Sequence, residues 1–140
     1  MGRRPRFRVS DSAQQVVGGF LLAGPFVVTE EVWVLAENMT VAHGLVVVAI
    51  VFAIGYGALY KADSDRDPDH EAEVAGVPVR FISLMGVSFG SVTILAFAFT
   101  APDQFLGHLE LREQAAATLR ALSVAAIFSV VGAATADSVF

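Results

Sequence analysis

The chain lacks cysteine altogether, so disulfides, thiolate metal sites and cysteine nucleophiles are excluded. Lysine is nearly absent: of nine basic residues only Lys61 is lysine. Charged residues are scarce, at 16% of 140 residues, while 55% are apolar and mean hydropathy is +0.63. Soluble domains are usually about 45–50% apolar. Strand alternation, a phosphate-binding loop, a nucleophile–histidine–acid set and metal-ligand spacing are also missing. Gly18–Gly19 has no flanking phosphate-loop pattern. These absences speak against an enzyme and imply no cofactor. Nucleic acid is an unsuitable partner, because the only basic cluster is Arg3, Arg4, Arg6 and Arg8 at the N-terminus.

What is present is a set of long apolar runs. They cover residues 15–36, 41–60, 79–100 and 115–139. About 20 helical residues cross a hydrocarbon core of roughly 30 Å. Only helices and closed barrels satisfy the backbone in lipid. The predicted architecture is therefore all-α: a bundle of four transmembrane helices at 14–140, preceded by a basic segment at 1–13. The first run is too long, and too polar at its far end, for a cleaved signal peptide. Segment 101–114 is mixed, and reads as interfacial or as an early start of the last helix.

Positive charge beside a span stays cytoplasmic, so the arginines predict both termini inside and a multi-pass protein of the cell membrane. The stretch 61–78 then becomes a cytoplasmic solvated loop, with Asp63, Asp65, Asp67, Asp69, Glu71 and Glu73 offering a surface to a soluble partner. An acidic, lysine-poor surface of net charge -5 suits a cytoplasm of high salt, where self-repulsion is screened. An ordinary acidic linker has the same composition.

Glu30 and Glu31 fall inside the first run. Ionisable groups at membrane depth are costly and mark ion or proton pathways. Adjacent helical residues point about 100° apart, which predicts different neighbours for the two. Glu31 is the candidate for the principal cation or proton ligand, with Glu30 secondary and Thr29 and Asn38 as neutral ligands. The alternative is a carboxylate that only fixes helix packing. Arg120 and His43 lie at the same level as possible charge partners. At the other end, Arg80 and Asp137 are placed to form a pair. Pro25 removes a helical donor and predicts a kink. Gly86 with Gly90, Gly132 with Ala136, and Gly19 with Ala23 allow close approach, within the bundle or between copies. Trp33, Tyr56 and Tyr60 read as interfacial anchors.

The string Gly18 to Trp33, GGFLLAGPFVVTEEVW, and the ending Val130 to Phe140, VVGAATADSVF, carry a resemblance. Gly18, Gly19, Pro25, Thr29, Glu31 and Trp33 resemble the first-helix motif of a domain-of-unknown-function integral membrane family, common in salt-adapted archaea and with longer bacterial relatives. In those relatives the Glu30 position is apolar, which makes Glu31 the more telling carboxylate. The resemblance implies an integral membrane location and, given the shorter chain, a homo-oligomer. Two functional expectations follow: a homo-oligomeric cation or proton channel or transporter, or a membrane scaffold or accessory subunit with structural glutamates.

Overall fold

The computed structural model describes residues 8–61, 73–74 and 76–139. Helices α1 (Val9–Val27) and α2 (Glu30–Glu37) occupy the first apolar run. Helix α3 (Val41–Tyr56) fills the second and ends in a π-helical turn, Gly57–Lys61. A two-residue antiparallel ladder, β1 (Glu73–Val74) with β2 (Val77–Pro78), leads into α4 (Val79–Ala98). A short α5 (Ala101–Leu106) precedes α6 (Leu111–Val139). Of the acidic stretch, residues 62–72 and 75 lie outside the described residues, as do Arg3, Arg4 and Arg6.

The long helix α6 is the axis on which α1, α2, α3 and α4 all pack. Its sequence explains this role. Ala117, Ala121, Ala125, Ala126, Ala133 and Ala134 are buried, and small side chains let neighbouring backbones come close. Of its most apolar window 61% is buried, against 17% for the span beginning at α3, so the rest of the chain leaves most of α3 uncovered. At the tightest crossing Gly18 of α1 meets Gly132 of α6. A methyl group built on either glycine would lie 2.2 Å from the carbonyl oxygen of the other. Gly132 thus serves α1 within the chain. Gly86 and Gly90 do not seal the bundle: a methyl group on either would meet nothing within 4 Å. Their step on α4 faces away from the other helices.

Among the described residues three helices are long and apolar enough to cross a membrane, and a fourth crossing requires α1 and α2 together. The expected single span over 15–36 is instead broken, with a bend of 75° between the two helices. Pro25 is not the apex. It lies within α1, and the chain turns at Val28–Thr29. Contacts with α6 nevertheless climb steadily along this pair. Gly18 lies at Gly132, Phe26 stacks on Phe128 with ring centres 3.6 Å apart, and the Ala36 carbonyl accepts from Arg120. The pair therefore follows α6 from Gly132 to Arg120, about 18 Å along that helix.

Two of the expected anchors are interior. Trp33 is 1% exposed, and Tyr60, in the π-helical turn, is also buried. The reason for Trp33 is the break itself. Ending a helix orphans its last carbonyls. The indole Nε1 donates to the Val27 carbonyl at 2.8 Å, while the ring packs against Phe105 of α5 at 5.9 Å between centres.

The start of α1 and the end of α6 lie at one end of the bundle, since Arg80 contacts both Asp11 and Asp137. The opposite end is tied by His108, whose Nε2 lies 2.7 Å from Glu37 Oε1.

Candidate functional site: the broken first crossing

The break places Glu30 and Glu31 in the first turn of a new helix rather than in the middle of an old one. That location has an electrostatic cause. Unpaired backbone amides and the helix dipole favour negative charge at a helix start. Both carboxylates are exposed on the outside of the bundle. With Val34, Leu35 and Asn38 they line one open groove of about 490 Å³. The expected separation of the two glutamates is thus overturned. The whole outer half of α2 is uncovered, so side chains 100° apart flank the same groove.

The neutral ligands divide. Asn38 lines the groove, and its Nδ2 donates to the Val34 carbonyl at 2.8 Å, which leaves its amide oxygen as an acceptor. Thr29 turns back: its hydroxyl donates to the Pro25 carbonyl, one turn earlier. Thr29 helps close the end of α1 and does not line the groove.

Arg120 does not pair with the glutamates. Its Nε donates to the Ala36 carbonyl at 2.9 Å, and among the described residues no ion pair joins it to Glu30 or Glu31. Ala36 lies in the last turn of α2, where its carbonyl accepts from Met39 N at 3.1 Å and has a second lone pair for the guanidinium. His43 is exposed and caps its own helix. Thr40 N donates to His43 Nδ1 at 3.1 Å, while His43 N donates to Thr40 Oγ1 at 3.3 Å. Arg120 and His43 therefore complete helix ends and leave the groove acidic.

At the other end Arg80 and Asp137 do meet. Arg80 Nη1 reaches both Asp137 oxygens, at 2.8 and 3.0 Å, and Nη2 lies 3.4 Å from Asp11 Oδ2. Gln15, fully buried, accepts from Ser83 Oγ at 2.6 Å and donates to the Arg80 carbonyl at 3.5 Å. Asp11, Gln15 and Ser83 escape a reading of apolar runs. Their signal is polar residues at helical spacing, 11 and 15 on α1, opposite the start of α4. Among the described residues no group of three or more His, Asp or Glu side chains is arranged to hold a metal ion.

No curated protein and no solved structure matches the chain. The sequence profile of one family does match, over residues 6–139, which takes in every helix described above. With its several apolar helices and that near-complete match, the chain belongs to DUF2391, a family of integral membrane proteins.

Proposed function

We propose that the protein assembles as a homo-oligomer in the cell membrane and passes a cation or proton, with Glu31 as the principal ligand, Glu30 beside it and the Asn38 amide oxygen as a neutral partner. The observation that carries this reading is the exposure of two carboxylates on the outer face of a broken crossing. Broken helices at membrane depth are tolerated where they line a cavity or are covered by protein. A second copy over this face would turn the groove into an enclosed acidic passage, and rings of carboxylates select cations. On this view the arginines before α1 set both termini inside. The protein works without a cofactor and without covalent chemistry.

The test is flux of a monovalent cation or of protons into liposomes holding the full-length protein. Glu31→Gln is expected to lower flux at least tenfold while the assembly, measured by light scattering, keeps its mass. Flux unchanged in an intact assembly would remove Glu31 from the pathway.

A second reading has its own support. Glu30 and Glu31 sit where a helix start favours carboxylates, worth about 0.3–1 kcal/mol each. As a scaffold or accessory subunit, the protein would use them only to hold α2. Glu31→Gln would then shift thermal melting or assembly and leave no flux to lose.

A further inference from the structure

Helix α2 has only eight residues, and side-chain ties hold it at both ends. The Trp33 indole secures its start by bonding the Val27 carbonyl. In its last turn the Ala36 carbonyl accepts from Arg120 Nε. The third tie is His108, in the turn between α5 and α6, with Nε2 2.7 Å from Glu37 Oε1. An indole carries no charge, and a guanidinium keeps its charge at every working pH. Of the three ties, only a histidine changes charge between about pH 5 and 8.

Glu37 makes that change count. It is the last residue of α2, at the end that the helix dipole makes negative. A carboxylate is disfavoured there and a cation is favoured. Protonated His108 offsets both charges at once. Neutral His108 keeps at most a hydrogen bond to the carboxylate, and charge-assisted bonds are about twice as strong. The tie is therefore full when the imidazole is protonated, and it weakens as pH rises.

The two partners differ in freedom. His108 stands on a fixed base: Leu106 is fully buried, and its carbonyl accepts from Leu109 N at 3.0 Å. Helix α2 is uncoupled from α1 by the break at Val28–Thr29. The neighbouring charges are few. Glu30 and Glu31 lie about two turns back on α2. Asp103 of α5 accepts from Gln114 Nε2 at 2.9 Å. Glu110, Arg112 and Glu113 follow His108 and are exposed. Across the connection to α3, His43 Nδ1 is engaged by Thr40 N. Among the described residues, none of these forms an ion pair with His108 or Glu37. The side chains of His108 and Glu37 are 58% and 30% exposed, so solvent protons reach the pair directly and salt screens it.

We propose that the His108–Glu37 pair is a pH-sensitive latch on α2. At low pH it clamps the end of α2 to the α5–α6 turn, and at high pH it loosens and lets that end move away from α6. The latch goes beyond ion passage, since it acts on α2 whether or not an ion crosses.

Distances between nitroxides test this in the full-length protein in lipid nanodiscs. The labels go on cysteines placed at the exposed Leu35 of α2 and Leu119 of α6. From about pH 8 to about pH 5, the ratio of the main distance to longer ones should rise about 1.5- to fivefold, the worth of an exposed ion pair. Salt near 1 M should shrink that rise. His108→Gln and Glu37→Gln should each abolish it, and His43→Gln should retain it. Identical parent distributions at the two pH values would overturn the latch. So would a rise untouched by salt, one that survives in His108→Gln or Glu37→Gln, or one lost in His43→Gln. Glu37→Gln keeps the test readable if His108→Gln does not fold. The readout is a distance, so the result stands apart from any flux through the Glu31 groove.

Discussion

A single hydrogen in place of a methyl group decides how closely α1 approaches α6. At Gly18 and Gly132 the added carbon would sit 2.2 Å from backbone oxygen, which cannot rotate away as a side chain would. Gly132→Ala should therefore destabilise the protein by about 1–3 kcal/mol, the range for overpacked interiors. Gly86→Ala meets nothing within 4 Å and trades glycine for a better helix former, so it should be neutral or stabilising by up to about 1 kcal/mol. Comparing the two by denaturant titration in detergent checks the prediction. Equal effects would mean that the α1–α6 contact does not depend on Gly132. In the sequence both positions belong to equally good small-residue steps. Only the neighbouring helix distinguishes them.

Among the elements, the first crossing departs furthest from its apolar pattern. The run from Gln15 to Ala36 is long enough for one helix, and Pro25 is its obvious irregularity. The break instead falls after Val28, where Thr29, Glu30 and Glu31 follow. A threonine before two acids is a helix-start signature, and here that local signal prevails over the continuous run. What the sequence does not display is the stabilising partner. Trp33 closes the break by bonding Val27 six residues back, a contact that appears only once the chain has turned. The bend should therefore depend on Trp33 rather than on Pro25. With no native cysteine, nitroxides can be attached at cysteines placed at the exposed positions Val16 and Leu35. Pro25→Ala should leave the measured distance distribution unchanged. Trp33→Phe, which removes the donor and keeps an aromatic ring, should broaden it. A longer distance in Pro25→Ala alone would assign the bend to the proline. The other crossings match their runs closely, because their apolar stretches carry no competing start signal. Helix α6 extends four residues earlier than its run, through the polar turn Leu111–Gln114.

Across the whole molecule, one buried cation fastens three helices where α1 and α4 begin and α6 ends. The Arg80 side chain is 6% exposed and that of Asp137 is fully buried. Removing one member of such a pair typically costs 3–5 kcal/mol, because the other is left charged in an apolar place, whereas replacing both with apolar residues is often near neutral. Arg80→Met should thus lower stability by about 3 kcal/mol or more. Adding Asp137→Leu should recover much of that loss. Denaturant midpoints of the two single variants and the double variant give the coupling. Additive losses would show that the ion pair contributes little beyond its separate members. The pairing of 80 with 137 is legible in the sequence, since both sit at the ends of apolar runs that finish on one side. The contribution of Asp11 is not, because the apolar pattern begins only after it, whereas the helix already runs from Val9.

The chain's only tryptophan is the group that closes the broken crossing. Its emission is therefore a built-in gauge of that joint. Straightening α1 into α2 would strip the indole of the Val27 carbonyl and pull it from Phe105, changing both its polarity and its packing. Any movement of the carboxylate-bearing helix α2, whether on ion entry or on assembly, carries its own optical signal without a label, and a protein whose joint stays closed throughout will show none.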